Sequence, residues 1–122
     1  MSLLLDSCIL IDYLAGHAAA RKYIRRAEGA AISMISWMEV ATGAVSPDEE
    51  VVVRAFLATF ELLPVDAPVA EEAMRLRRAR RLKLPDAIIL ATARVHDRVL
   101  ATRNTKDFAR NDPGVAVPYQ VP

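Results

Sequence analysis

Leu3-Leu4-Leu5-Asp6-Ser7 opens the chain with an uninterrupted apolar run that ends in an acid and a hydroxyl. Such a run predicts a buried strand, and an acid at its carboxyl end predicts a polar group in the crevice where parallel sheets bind ligands. Three distant segments repeat this pattern of an apolar run followed by polar residues: Ile35-Ser36-Trp37-Met38-Glu39, Leu84-Pro85-Asp86-Ala87-Ile88-Ile89 and Leu100-Ala101-Thr102-Arg103-Asn104-Thr105-Lys106-Asp107-Phe108. Several carboxylates gathered at one sheet edge favour a hard cation.

The remaining apolar runs predict a single α/β domain over residues 1–122. Strands are predicted over residues 2–5, 30–33, 62–65 and 99–102, and helices over residues 9–14, 18–28, 36–43, 47–59, 68–82 and 85–97. Short apolar strands separated by helices favour a three-layer α/β/α fold around a mostly parallel sheet. The proline-containing tail, residues 115–121, can add only an edge strand or an extended arm. Helix residues predicted to face the core include Val52, Phe56, Phe60, Val69, Ala73, Leu76 and Ala79.

Composition limits the classes of protein to which this chain can belong. With 53% hydrophobic and 25% charged residues, it is a compact globule and not a disordered tail. The single cysteine, Cys8, excludes an internal disulfide, so we expect a small core residue in a protein of the reducing cytoplasm. The apolar start meets Asp6 too early for a signal peptide, and no run approaches membrane-spanning length, so we predict no membrane contact.

Each of the four acids also has a local structural explanation. Glu39 lies three residues after Ser36, as in a capping box, and Asp86 stands at a helix start where the dipole favours negative charge. Asp6 could end its strand in an Asx turn, and Asp107 could cap a loop. However, no lysine or arginine lies near Asp6 in sequence, and a buried, unpaired carboxylate is unfavourable. Clustered carboxylates destabilise the fold unless a divalent cation neutralises them, and we therefore predict a cation site.

These motifs, in this order and with Gly43 four residues after Glu39, resemble those of a PIN domain, and more narrowly the VapC and FitB-like toxins. The resemblance spans the chain and implies an endoribonuclease that depends on Mg²⁺ or Mn²⁺. It also implies a homodimer and a cognate antitoxin that holds the enzyme inactive. Metal-site residues carried over from the resemblance are Asp6 and Asp86 as the first choices for direct ligands, Glu39, then Asp107 or Asn104 at the fourth position, with Ser7 and Thr102 supplying hydroxyl groups.

The implied chemistry is metal-assisted hydrolysis, which needs no nucleophilic side chain. Neither His17 nor His96 has a carboxylate or serine partner at a recognisable spacing, so a histidine-based ribonuclease lacks its parts. A metal-dependent phosphatase or a receiver domain is an alternative, but the phosphatase pattern needs an Asp where Cys8 stands. A PIN-like binding module without strong catalysis also stays open, because the fourth acid is ambiguous.

The net charge is only +1, but basic residues are concentrated in the second half of the chain. Residues 62–122 carry 11 Lys or Arg against 7 Asp or Glu, and most of the excess lies just before Asp86. We predict that this block forms a rim that contacts RNA phosphates, through Arg80, Arg81, Lys83 and, in the later loop, Arg103. The alternative is a solvated helix face on which Glu71 and Glu72 pair with Arg75.

Overall fold

The computed structural model describes residues 2–120, so Val121, the last residue of the predicted tail, lies outside the described residues. In chain order the elements are β1 (Leu3–Leu5), α1 (Ser7–Leu14), α2 (Ala18–Arg26), β2 (Ala31–Ser33), α3 (Met34–Ala41), α4 (Pro47–Leu57), β3 (Glu61–Leu63), α5 (Ala67–Arg80), α6 (Leu84–Val95), β4 (Val99–Ala101) and β5 (Val115–Ala116). The predicted succession of strands and helices is confirmed, and the tail supplies the expected edge strand.

The strands form one sheet in the order β3-β2-β1-β4-β5, and every neighbouring pair is parallel. The chain builds outward from β1 on one side and then crosses to β4 on the other side. A parallel sheet opens a crevice at the carboxyl ends of the two strands where the order reverses. Here those ends carry Asp6 and Thr102, which follow β1 and β4 directly.

Helices cover both faces of the sheet, as a three-layer fold requires. Leu4 of β1 points to one face and packs in a core formed with α5 and α6. Leu3 and Leu5 point to the other face, where they pack with residues of α1, α3 and α4. Side chains alternate in this way because successive strand residues face opposite sides, and burial on both sides explains why β1 is uniformly apolar.

Two predicted core positions are wrong. Val52 on α4 is 63% exposed, and Val53 and Leu57 are the buried residues of that helix. Ala79 on α5 is also exposed, because the last turn of that helix, residues 77–80, extends beyond the core. Hydrophobic periodicity shows which face of a helix is apolar, but it does not show how far along the helix that face is covered by other elements.

Arg98 makes hydrogen bonds to three segments at the end of the sheet opposite the crevice. Its Nη1 donates to the carbonyls of Leu3 and Gly29 at 3.1 and 3.0 Å, and its Nη2 donates to Glu61 at 2.7 Å. These contacts join the starts of β1 and β3 and the turn before β2. None of the helices in residues 2–120 combines the length and the apolar character needed to span a membrane.

Candidate functional site

Asp6 is a buried carboxylate at the junction of β1 and α1. Its side chain is 4% exposed and is the N-cap of α1, with Oδ1 accepting from the Ser7 amide at 2.8 Å. Oδ2 accepts from the hydroxyl of Thr102 at 2.6 Å, and the Cys8 thiol lies 3.6 Å away. No cation-bearing side chain contacts Asp6 in residues 2–120, so its charge is held by hydrogen bonds and by the helix start alone.

The loop after β4 carries the second group of polar residues. The amide of Asn104 donates to the Thr102 hydroxyl at 3.0 Å, which orients that hydroxyl toward Asp6. The side chain of Asn104 donates from Nδ2 to Asp107 at 2.9 Å and accepts from the Asp107 amide at 3.3 Å. Asn104 therefore lines the crevice, while Asp107 lies behind it and acts on the site through its charge.

Glu39 lies in the middle of α3 and not in a capping box, so the sequence-based prediction of its local role is wrong. The N-cap of α3 is Ser33, whose hydroxyl accepts from the Ser36 amide at 3.1 Å. Glu39 is six residues after Ser33, and its side chain is influenced by Ser7 and Asp6 at the start of α1. Desolvation, together with the charge of Asp6, raises the pKa of Glu39, while the Ser7 hydroxyl opposes the shift.

Asp86 is in the first turn of α6 and completes the acidic group. Its pKa is raised to about 6, first by desolvation and then by the charges of Asp107, Asp6 and Glu39, with Lys83 acting in the opposite direction. The three predicted partner acids are therefore close enough to Asp86 to disfavour its ionisation. A carboxylate with a perturbed pKa in a cleft is typical of a functional site.

These residues surround one open cavity of about 460 Å³, here called the acid pocket. Its lining comprises Asp6, Ser7, Cys8, Glu39, Asp86, Arg103, Asn104, Thr105 and Lys106. The structure thus brings the predicted site residues together, with Thr102 and Asp107 just behind the lining. Cys8 is a half-buried wall residue and not a fully buried core residue. Lys106 was not predicted to line the site, although its position between the candidate residues Asn104 and Asp107 would have suggested it.

The donor set fits a hard divalent cation that keeps water ligands. In residues 2–120 no three acidic, histidine or cysteine side chains converge closely enough to coordinate one ion unaided. Mg²⁺ is commonly bound by one or two carboxylates and completes its octahedron with water and substrate oxygens. The raised pKa of Asp86 supports the fit, because a cation would offset both the desolvation of the carboxylate and the repulsion by its acidic neighbours.

The predicted basic residues occupy different surroundings. Lys83 and Arg81 are exposed, and the Lys83 charge acts on Asp86, so Lys83 lies beside the acid pocket. Arg80 donates to Asp112 at 2.6 Å. Arg103 donates to Asp12 of α1 through Nε at 2.6 Å and through Nη2 at 2.9 Å. The RNA contacts of these residues stay predictions.

An apolar groove of about 510 Å³ adjoins the acid pocket. It lies between α1, α3 and α4, and its walls include Ile11, Leu14 and Val52. Ile11 is 50% exposed and Val52 is 63% exposed. Glu39 lines both the groove and the acid pocket. The groove therefore leads directly to the acids.

Comparisons with known proteins agree with this architecture. A family model described as the PIN domain matches residues 3–112. Ribonuclease VapC10 of Mycobacterium tuberculosis is 36% identical, with 98% of each chain covered. A toxin-antitoxin complex from Klebsiella pneumoniae contains a chain that is 45% identical, with a TM-score of 0.91 and coverage of 98% of this chain and 99% of that one. FitAcB from Neisseria gonorrhoeae shares the fold at 24% identity, with a TM-score of 0.81 and coverage of 98% and 99%.

Proposed function

Because the chain belongs to the PIN domain family, and within it to the VapC ribonucleases of toxin-antitoxin pairs, we propose that it hydrolyses RNA phosphodiester bonds at Mg²⁺ or Mn²⁺ in the acid pocket. The observation that carries this proposal is the convergence of Asp6, Glu39 and Asp107 on Asp86, whose pKa is raised first by desolvation and then by the charges of these three acids. We further propose that residues 1–122 act as a single domain in the cytoplasm.

Some residues of the pocket are proposed to bind the cation, and others to orient the residues that bind it. Asp6 and Asp86 are proposed as direct ligands, with Glu39 reaching the site from α3 and Asp107 contributing charge from behind Asn104. A bound cation would polarise the scissile phosphate and lower the pKa of an attacking water. Ser7 and Thr102 supply hydrogen bonds that keep the Asp6 carboxylate in one orientation.

The rim of the pocket is proposed to bind the RNA backbone. Lys106 lines the pocket and the charge of Lys83 acts on Asp86, so both are proposed to contact a phosphate that enters the crevice, with the exposed Arg81 two residues before Lys83. Arg80 and Arg103 are proposed to complete the rim while paired with Asp112 and Asp12, and Arg103 lines the pocket in its paired position. Phosphate contacts of this kind give affinity without sequence preference.

The test is RNA cleavage by the purified protein in the presence of Mg²⁺ or Mn²⁺, with 5′-end mapping of the products. Asp6→Asn and Asp86→Asn should each lower the cleavage rate at least about 100-fold, since either substitution removes a proposed ligand charge. Chelation by EDTA should abolish cleavage in the unmodified protein. Cleavage that survives in EDTA or in both variants would refute the metal-dependent mechanism.

The family also implies an antitoxin partner, and we propose that its apolar segment binds in the groove between α1, α3 and α4. Ile11, Leu14 and Val52 would bury the segment, and a basic side chain on it could reach Glu39, which borders both cavities. Val52→Glu should weaken inhibition by the cognate antitoxin while leaving cleavage intact. Unchanged inhibition in Val52→Glu would place the antitoxin elsewhere.

We also propose that the chain forms a homodimer. Exposed apolar side chains outside the groove, among them Leu62, Val65 and Met74, are available for such an interface. Light scattering of the purified protein would give the mass directly, and a mass of one chain at micromolar concentration would refute the dimer.

A further inference from the structure

Asp12 is a second buried acid of α1, and the acid pocket does not include it. It is 3% exposed and lies on the turn of α1 that follows the turn begun by Asp6. Arg103 donates to it through Nε at 2.6 Å and Nη2 at 2.9 Å, and the Tyr119 hydroxyl donates at 2.9 Å. We call these three residues the Asp12 cluster.

The cluster joins three segments that are remote in sequence. Asp12 and Arg103 are 91 residues apart, and Asp12 and Tyr119 are 107 apart. Hydrogen bonds from Arg103 and Tyr119 lower the pKa of Asp12 against the effect of burial, so the carboxylate stays ionised at neutral pH. The ring of Tyr119 packs against the core on the α1 face of the sheet. Tyr119 is therefore fixed both by its ring and by its hydroxyl.

The position of Arg103 in the chain connects this cluster with the acid pocket. Arg103 stands between Thr102, which donates to Asp6 at 2.6 Å, and Asn104, whose amide donates to Thr102 at 3.0 Å. The guanidinium is planar and binds a carboxylate through two parallel hydrogen bonds, which fixes direction as well as distance. With the side chain of Arg103 held by Asp12, the backbone on either side of it has little freedom.

We propose that the Asp12 cluster positions the loop after β4, so that Thr102 and Asn104 hold the Asp6 side of the metal site, and that Tyr119 links the carboxyl-terminal tail to this site. The inference rests on the proposed function. Asp12 and Tyr119 act here as positioning residues, because they reach the site through Arg103, and Arg103, which also lines the acid pocket, positions its chain neighbours Thr102 and Asn104. A misplacement of about 1 Å in such a site can lower the rate about 100-fold.

The experiment uses two conservative variants and one matched control. Tyr119→Phe removes only the hydroxyl and keeps the ring, and Arg103→Lys keeps the charge but loses the bidentate contact. The control is Arg98→Lys, because Arg98 also makes several hydrogen bonds from a partly buried position, but at the opposite end of the sheet. Each full-length protein is assayed for thermal stability, for the Kd of Mn²⁺ by calorimetry, and for the Mg²⁺ concentration that gives half-maximal RNA cleavage.

We expect Arg103→Lys to raise the Mn²⁺ Kd about tenfold or more, since residues that orient a ligand change metal affinity about 10- to 100-fold. Tyr119→Phe acts one contact further from the site and should raise the Kd less, about threefold to tenfold. The Mg²⁺ requirement for cleavage should rise in parallel. Arg98→Lys should lower thermal stability while leaving the Mn²⁺ Kd within about twofold of the unmodified protein. If Arg103→Lys does not fold, Tyr119→Phe carries the test alone.

The outcomes separate the two proposals. If Asp6→Asn loses Mn²⁺ binding while Tyr119→Phe and every folded form of Arg103→Lys bind as the unmodified protein does, the positioning role is overturned and the proposed function stands. If the unmodified protein binds no Mn²⁺ and cleaves no RNA, both are overturned. An equal rise in Kd for Arg98→Lys would assign the effect to general loss of stability and would also overturn the positioning role.

Discussion

Replacing Asp86 by Asn should stabilise the metal-free protein and abolish its response to Mg²⁺. The pKa of Asp86 rises from 3.8 to about 6, a difference of about two units, and each unit corresponds to about 1.4 kcal/mol, so its ionisation at pH 7.5 opposes folding by up to about 3 kcal/mol. Because Asp86 is partly exposed, solvent screening reduces this to about 1.5 kcal/mol. The lost interaction with the α6 dipole removes about 0.5 kcal/mol, which leaves a net gain of about 1 kcal/mol.

A gain of this size corresponds to a rise in Tm of about 3–5 °C for a domain of this length, measured in EDTA at pH 7.5. A raised pKa means that the folded state binds its proton more tightly than the unfolded state, so the penalty is absent below about pH 4 and develops as pH rises through about 6. The difference between variant and unmodified protein should therefore shrink at acidic pH. With Mg²⁺ added, only the unmodified protein should gain stability.

Asp48→Asn is the matched control, because Asp48 is also in the first turn of a helix but is exposed and remote from the acid pocket. It should lose a few tenths of a kcal/mol and keep the Mg²⁺ response. A folded Asp86→Asn protein that is less stable than the unmodified protein in EDTA at pH 7.5 would refute the reasoning, as would a retained Mg²⁺ response.

Three further outcomes follow from individual contacts. Mg²⁺ binding should weaken about tenfold per pH unit below about pH 6, since Asp86 must lose its proton to bind a cation; a Kd that stays constant from pH 7 to 5 by calorimetry would exclude Asp86 as a ligand. Asp12→Ala should lower the free energy of unfolding by about 3 kcal/mol in urea, because it leaves the Arg103 charge without its partner, and a loss below about 1 kcal/mol would contradict the paired geometry. Ser33→Ala should lower the free energy of unfolding by about 1 kcal/mol, because it removes the N-cap of α3. A larger loss for Ser36→Ala than for Ser33→Ala would instead identify Ser36 as the cap.

The sequence predicted strands and helix starts wherever these depend on residues that are neighbours in the chain. The apolar run at the start of the chain predicted the strand Leu3–Leu5, and the helix predicted from residue 47 is α4, which the Ser46 hydroxyl caps by accepting from the Glu49 amide at 3.1 Å. The α3 cap was misplaced because Ser36, with Glu39 three residues later, fits the capping-box pattern, whereas Ser33, the actual cap, has no Glu or Gln at that spacing. Ser33 is the residue with extended backbone at the end of β2, and only the structure distinguishes the two.

Asp12 shows where sequence reasoning stops. An acid within the apolar run of α1 is a visible anomaly, since an unpaired charge there would be unfavourable. Its partners, Arg103 and Tyr119, are more than 90 residues away, at separations of 91 and 107, and no local pattern connects them. The apolar groove also could not be predicted from the sequence. Val52 was predicted to be buried, but it is exposed and forms part of the groove wall.

The sequence by itself determined the order of strands and helices and placed an acid or hydroxyl at the ends of the apolar runs, because propensity, capping and hydrophobic periodicity act over a few residues. Only the tertiary structure decided the sheet order β3-β2-β1-β4-β5, which sets β4 beside β1 and so brings Thr102 to Asp6. It also decided that Asp107 acts on Asp86 from behind Asn104. Both depend on contacts between distant segments, which form only when the two faces of the sheet are buried together.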